Sequence, residues 1–201
     1  MEILTLAALL LLAAYLQKTR EQKKRIALLA GHLGRYQIET LMENLTEGYL
    51  RCLGEDDPAR REQIWKLLDT TEQTLVGQFQ RFVADFARVG DAEARVSTLP
   101  LALPFADRLF PARSFDMRRA LAIHARGIAD AAANSLQQAP KRKAYTMSAE
   151  LFLMQHTCHW YCRSRAVASA RMLARHKTPY AQLVDSVAPA TRRDYRALVG
   201  G

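Results

Sequence analysis

Residues 3–16 read ILTLAALLLLAAYL, from Ile3 to Leu16, fourteen residues with Thr5 as the one polar side chain. As a helix, at ~1.5 Å rise per residue, this run covers ~21 Å. A bilayer core asks for roughly 20 residues. Met1 at one end, and Lys18 and Arg20 reaching to the headgroups at the other, make up the difference. Three readings compete: an uncleaved membrane anchor, a cleaved signal peptide and a buried core helix of a soluble domain. A signal peptide opens on positive charge and closes on a small-x-small site. Here the start is Met1-Glu2, and neither Leu12-Ala13-Ala14 nor Ala13-Ala14-Tyr15 fits that site. The run therefore predicts a single N-terminal transmembrane helix.

Lys18, Arg20, Lys23, Lys24 and Arg25 follow at once, against one acid, Glu21. Basic flanks stay on the cytoplasmic side. The expected topology is N-terminus outside and residues 17–201 in the cytoplasm. The five basic side chains are the candidate membrane-surface site, each contributing ~1 kcal/mol at anionic headgroups. Arg outnumbers Lys by 22 to 7, which reads as a GC-rich bacterial genome and makes the membrane a bacterial inner membrane.

Beyond the anchor, sparse Gly and Pro with abundant Ala and Leu predict an all-α fold: a cytoplasmic helical bundle of four to six helices. Charged residues are 24% and hydrophobic residues 49%, ordinary proportions that exclude wholesale disorder. Three cysteines, Cys52, Cys158 and Cys162, do not make a disulfide framework. The net charge of +9 is unevenly spread. Residues 26–100 hold 8 Lys+Arg and 12 Asp+Glu, and residues 101–201 hold 16 and 6. A chain split in this way offers a basic face to an anionic partner. The lipid bilayer is the first expectation, with nucleic acid second.

The domain plan is an anchor over 1–17, a basic juxtamembrane helix and hinge over 18–34, and a helical bundle over 35–199. The apolar stripe of Ile26, Leu29, Ala30 and Leu33 points about 100° away from that of Ile38, Leu41, Met42, Leu45, Tyr49 and Cys52. Gly31 and Gly34 lie between them and weaken the helix. A hinge there leaves the anchor mechanically separate from the bundle. Glu39, Glu43 and Glu47 form a ladder opposite the second stripe, closed by Arg35 and Arg51, and read as a solvated face.

Asp57 reads as a helix cap and Pro58 as the first helical residue. The helix runs to about Val89 on the stripe Ile64, Leu68, Thr71, Leu75, Phe79, Phe82, Phe86. Residues 91–113 form a Pro-rich connector. Its leucines and phenylalanines want burial while its prolines block helix, so a crossover packed over the core is expected. Ser114 is the candidate cap of the next helix, with His124 central on its apolar face. Pro140-Lys141-Arg142-Lys143 reads as a basic loop. Ser148 then starts a helix to about Lys177, and shorter helices follow around Pro189.

One constellation is chemically loaded: His156-Thr157-Cys158-His159-Trp160-Tyr161-Cys162. Cys158, His159 and Cys162 fall within ~100° on a helix, and His156 or His124 could add a fourth metal or haem ligand. The spacing is against it. Structural zinc sites use C-x₂-C or H-x₃₋₅-H knuckles and haem attachment needs C-x-x-C-H. The same arc is also the apolar face of the helix. Core packing is the plainer reading, so no metal and no cofactor is assigned. Arg163, Arg165, Arg171, Arg175 and Lys177, with Trp160 and Tyr161 among them, give residues 141–177 the interleaved basic and aromatic character of a nucleic-acid surface.

Phosphate-loop, dinucleotide, zinc-protease and nucleophile-elbow motifs are missing from the sequence, so no residue pattern supports an enzyme. The reading is a membrane-tethered interaction or regulatory module without catalytic activity. The alternatives are nucleic-acid binding through 141–177 and a metal- or haem-dependent role at 156–162.

Overall fold

The structure is a computed structural model that describes residues 1–200. It is all-α, with one N-terminal helix long and apolar enough to cross a membrane. That helix, α1 (Glu2–Leu33), runs unbroken for 32 residues, a length of ~48 Å. Residues 2–16 are exposed throughout, and contact with the rest of the chain begins at Gln17, where the apolar run ends. From there α1 docks. Leu29 is buried, Leu28 and Leu33 pack on the core, and the His32 ring meets the edge of Phe86 at 5.5 Å. Gly31 stays helical, and the chain turns at Gly34, whose N–H donates to the Ala30 carbonyl at 2.8 Å. The turn therefore joins α1 to its neighbour. The break expected between the juxtamembrane stretch and the bundle is this turn at Gly34, and Leu28, Leu29 and Leu33 just before it pack on the core.

The core is built from α2 (Ile38–Leu53), α3 (Pro58–Phe86), α6 (Met117–Ala132) and α7 (Pro140–Cys162). The Asp57 side chain accepts from the Ala59 N–H at 3.0 Å and Pro58 occupies the first helical position, as the sequence implies. Phe79, Phe82 and Phe86 are fully buried and stack on one another in tilted pairs. Glu39, Glu43 and Glu47 are exposed, while Arg35 reaches Asp85 at 3.9 Å.

The connector departs most from expectation. It contains α4 (Asp91–Ala94), the strand β1 (Arg95–Ser97), α5 (Ala106–Leu109) and a 3-10 turn at Pro111–Arg113. β1 pairs antiparallel with β2 (Ser114–Asp116), Val96 opposite Phe115. Ser114 is thus a strand residue, and Asp116 caps α6 by accepting from the Arg118 N–H at 2.8 Å. Between the strands the connector does not fold down onto the core, and most of its large apolar side chains face outward.

Pro140 begins α7 instead of sitting in a loop, since its missing N–H costs nothing in a first turn. The helix expected from Ser148 to Lys177 is two helices. It breaks at Arg163, and Ser164 caps α8 (Arg165–His176) by accepting from Val167 N–H at 3.3 Å. α9 (Tyr180–Ser186) and α10 (Pro189–Val199) fold back to close a second, smaller core around Leu153, Met172, Leu183 and Tyr195.

Candidate functional site

The C-terminal end of α7 is where α1, the connector and α8 meet. The Trp160 indole N–H donates to the Ser97 carbonyl at 2.9 Å and its ring meets Phe115 edge-on at 5.0 Å. The Tyr161 hydroxyl donates to the Glu93 carbonyl at 3.0 Å. Both residues are buried, so they rivet the strand pair to α7. Arg25 of α1 reaches in from the other side, donating to the Arg95 carbonyl at 3.0 Å with its guanidinium over the Tyr161 ring. Arg163 donates to the Gln22 side chain at 2.8 Å, and the Ala166 N–H at the start of α8 donates to the Pro100 carbonyl at 3.1 Å. Of the five basic residues read as a membrane-surface site, Arg20, Lys23 and Lys24 are exposed, Lys18 is half-buried and Arg25 turns inward.

The His/Cys residues are not brought together. Cys158 is buried with its thiol 3.8 Å from the Met154 sulfur. Burial pushes the Cys158 thiol up, and pushes that of half-buried Cys162 up to about 11. Burial thus favours the neutral thiol at both positions, and thiol redox chemistry needs the thiolate. His156 lies buried against Ser169, Nε2 to Oγ 3.1 Å, with its ring stacked on Tyr180 at 4.5 Å. His124 Nε2 is 2.9 Å from the Thr157 hydroxyl. Among the described residues, no group of three His, Cys, Asp or Glu side chains is placed to hold a metal ion. Burial lowers His124 to about 3 and His156 to about 4, helped in His124 by the nearby His156.

Two buried carboxylates escape the sequence reading. Glu72 on α3 accepts from Tyr49 at 2.5 Å and pairs with the Lys143 ammonium at 2.6 Å. Lys143 also holds Asp69 at 2.9 Å, so one member of the basic 141–143 cluster is used inside the protein. Glu150 on α7 accepts from the Ala188 N–H at 2.9 Å and lies against Gly127 and Thr191. The sequence holds traces of both. Glu72 falls on the apolar stripe between Leu68 and Leu75, and Gly127 stands where the stripe of α6 should carry a large side chain.

The 141–177 region is divided in the same way. Its aromatics Trp160 and Tyr161 are buried, and Tyr145 is the exposed aromatic beside Lys141 and Arg142, while Arg171 and Arg175 are exposed on α8. At the other end of α7, ~24 Å from Tyr161 at 1.5 Å per residue, an open groove of about 910 Å³ lies between α2, α7 and α9. Leu50, Leu136, Tyr145 and Phe152 line it with Arg142 and Arg192. No family model, curated protein or solved structure matches the chain.

Proposed function

We propose that the chain is a membrane-tethered interaction module. α1 crosses a bacterial inner membrane through Ile3–Leu16, its basic flank holds residues 17–201 at the cytoplasmic face, and the bundle offers its membrane-distal groove to a protein partner. One observation carries this reading: none of the apolar window of α1 is buried. Seven leucines and an isoleucine stand in the open over residues 3–16. Burying a side chain of that kind contributes ~1.5–3 kcal/mol, so a soluble core helix would have been covered. The abrupt start of docking at Gln17 supports a bilayer below that point. The groove supports a protein partner because Leu50, Leu136 and Tyr145 are each more than half exposed there, an apolar patch rimmed by polar residues. The reading assigns the chain no reaction, since His124, His156 and Cys158 lie inside the core.

Fractionation tests the tether. The full chain should stay with membranes after alkaline carbonate, and deletion of residues 3–16 should release it. A soluble full chain, or a mature protein whose mass lacks the apolar run, would falsify the anchor. Protease added to spheroplasts should leave residues 17–201 intact if they are cytoplasmic. A photocrosslinking residue at Tyr145 should trap a discrete partner that the same residue at Leu67, exposed on α3, does not. Equal trapping at both sites counts against the groove.

A further inference from the structure

Within residues 101–110, Leu101, Leu103, Phe105, Leu109 and Phe110 are exposed large apolar side chains, Leu101 at 64% and Leu109 at 67%. This patch is not placed at random. Leu101 and Leu103 line one cavity with Lys18 and Arg163, and Phe105 and Arg108 line another with Gln17 and Lys24. The patch thus faces the part of α1 that follows the apolar run, from Gln17 to Leu28. The strand pair β1–β2 and the Pro100 carbonyl fix it there through Trp160 and Ala166. Lys18, Lys24, Arg108 and Arg163 line these cavities, with Glu21 and Glu93 among them, and the Arg108 guanidinium sits 5.7 Å from the centre of the Phe105 ring.

We infer that the 99–113 connector is a second membrane contact. It seats the domain on the bilayer beside its anchor, its leucines and phenylalanines entering the headgroup boundary and Lys18, Lys24, Arg108 and Arg163 meeting anionic phosphates. This rests on α1 as the membrane span. Two observations choose a lipid surface as the occupant. The patch borders α1 from Gln17 onward, the first residue after the apolar run ends at Leu16. The apolar run, at ~21 Å, is also short for a core of ~30 Å, and a domain drawn down to the bilayer shares with the snorkelling Lys18 and Arg20 the demand that this shortfall makes. An apolar edge at the exit of the helix satisfies that demand, and an interfacial segment of this type buries its apolar side ~5–10 Å deep.

The test uses the full chain in vesicles of phosphatidylcholine, with and without anionic phosphatidylglycerol, carrying bromine either high on the acyl chains or at their ends. Tryptophan is placed at the patch (Leu103→Trp) or on the distal groove (Leu50→Trp), and emission is read in excess of the parent. Leu103→Trp should lose about half of its added emission to the high bromines and little to the deep ones, as an interfacial depth requires. The loss should be larger with phosphatidylglycerol, and Leu50→Trp should lose nothing. No excess quenching of Leu103→Trp in a chain that has incorporated overturns the inference and leaves the anchor standing. Crosslinking between copies at residue 103 in its place assigns the patch to self-association and overturns it equally. Equal quenching in both vesicles removes the anionic contacts from the inference. Failure of the chain to incorporate at all overturns the anchor and the second contact together.

Discussion

Gly127 and Glu150 touch across the α6–α7 interface with no room for a methyl group. A Cβ at residue 127 would stand 2.4 Å from the Glu150 carboxylate and 2.4 Å from the Thr191 hydroxyl. All three groups are packed between α6, α7 and α10, so none can swing into solvent. Gly127→Ala should therefore destabilise the protein by about 2–3 kcal/mol, the upper part of the range for overpacking. Gly77, in the middle of α3, meets nothing within 4 Å. There the same change should stabilise by about 0.5–1 kcal/mol through helix propensity alone. Urea unfolding of the two variants in mild detergent should move the midpoint in opposite directions, and a shared direction would show that the close contact at Gly127 is not what decides the outcome.

Glu150 also makes stability depend on pH. Burial pushes its carboxyl from an ordinary 4.5 up to about 7, against the pull of the Ala188 N–H and the Thr191 hydroxyl. The folded chain then holds a proton that the unfolded chain has released between those two values. Its contribution is present at low pH and is lost as pH rises through about 7. The difference reaches about 3 kcal/mol. Glu150→Gln keeps an acceptor for Ala188 and cannot ionise, so relative to the parent it should gain stability between about pH 5 and about pH 8. His124 and His156, held neutral by burial, act in the opposite sense, their contribution fading as pH falls below 6.5. Comparing parent and variant at each pH cancels the histidines. A parallel pair of stability curves would show that Glu150 titrates normally.

Why some of this was legible and some not follows from how each residue acts. The apolar run of α1 and the phenylalanine stripe of α3 are local patterns, and each forms the helix its period predicts. The break before α8 depends on Ser164 alone, with no Gly or Pro beside it, so the periodicity reads through it. Connector leucines declare an appetite for burial, but whether the chain has anything left to cover them is settled only once α7 has been taken up by α1, α6, α8 and α9. Glu72 and Glu150 are the same problem in reverse. A lone acid on a helix reads as solvated until its partner, Lys143 on another helix or the backbone before Pro189, is brought to it. Of the histidines and cysteines of 156–162, His156 is bonded to Ser169 and Cys158 lies on Met154, so these two are taken up by different neighbours.

The Glu72–Lys143 pair should behave as a buried ion pair. Glu72 is fully buried, and the Lys143 side chain is 12% exposed. Lys143→Met leaves the carboxylate with Tyr49 as its donor and no positive charge, which should cost about 3–5 kcal/mol. The loss should shrink toward acid pH, because burial already raises Glu72 and removal of the ammonium raises it further, so protonation relieves the charge. Adding Glu72→Gln to Lys143→Met keeps an acceptor for Tyr49 and should recover most of the stability. If the double variant is no better than Lys143→Met, the loss comes from the packing of the lysine stem.

Thr157 fixes the protonation of His124. Its hydroxyl donates to the Leu153 carbonyl at 2.9 Å, and so has only lone pairs left for His124 Nε2 at 2.9 Å and the Tyr195 hydroxyl at 3.0 Å. A neutral imidazole facing a lone pair must carry its proton on that nitrogen. Nitrogen shifts should show the Nε2–H form of His124 at neutral pH, with no titration until the approach to about 3. Thr157→Val has the same shape and no acceptor. It strands a buried N–H, while Tyr195 keeps Tyr180 as a neighbour. The expected loss is about 2–3 kcal/mol. Thr157→Ser restores the hydroxyl at the cost of one methyl group, about 1 kcal/mol. A valine variant as stable as the serine variant, with the Nδ1–H form in its spectrum, would show that the imidazole can turn over inside the core and that Thr157 does not set its tautomer.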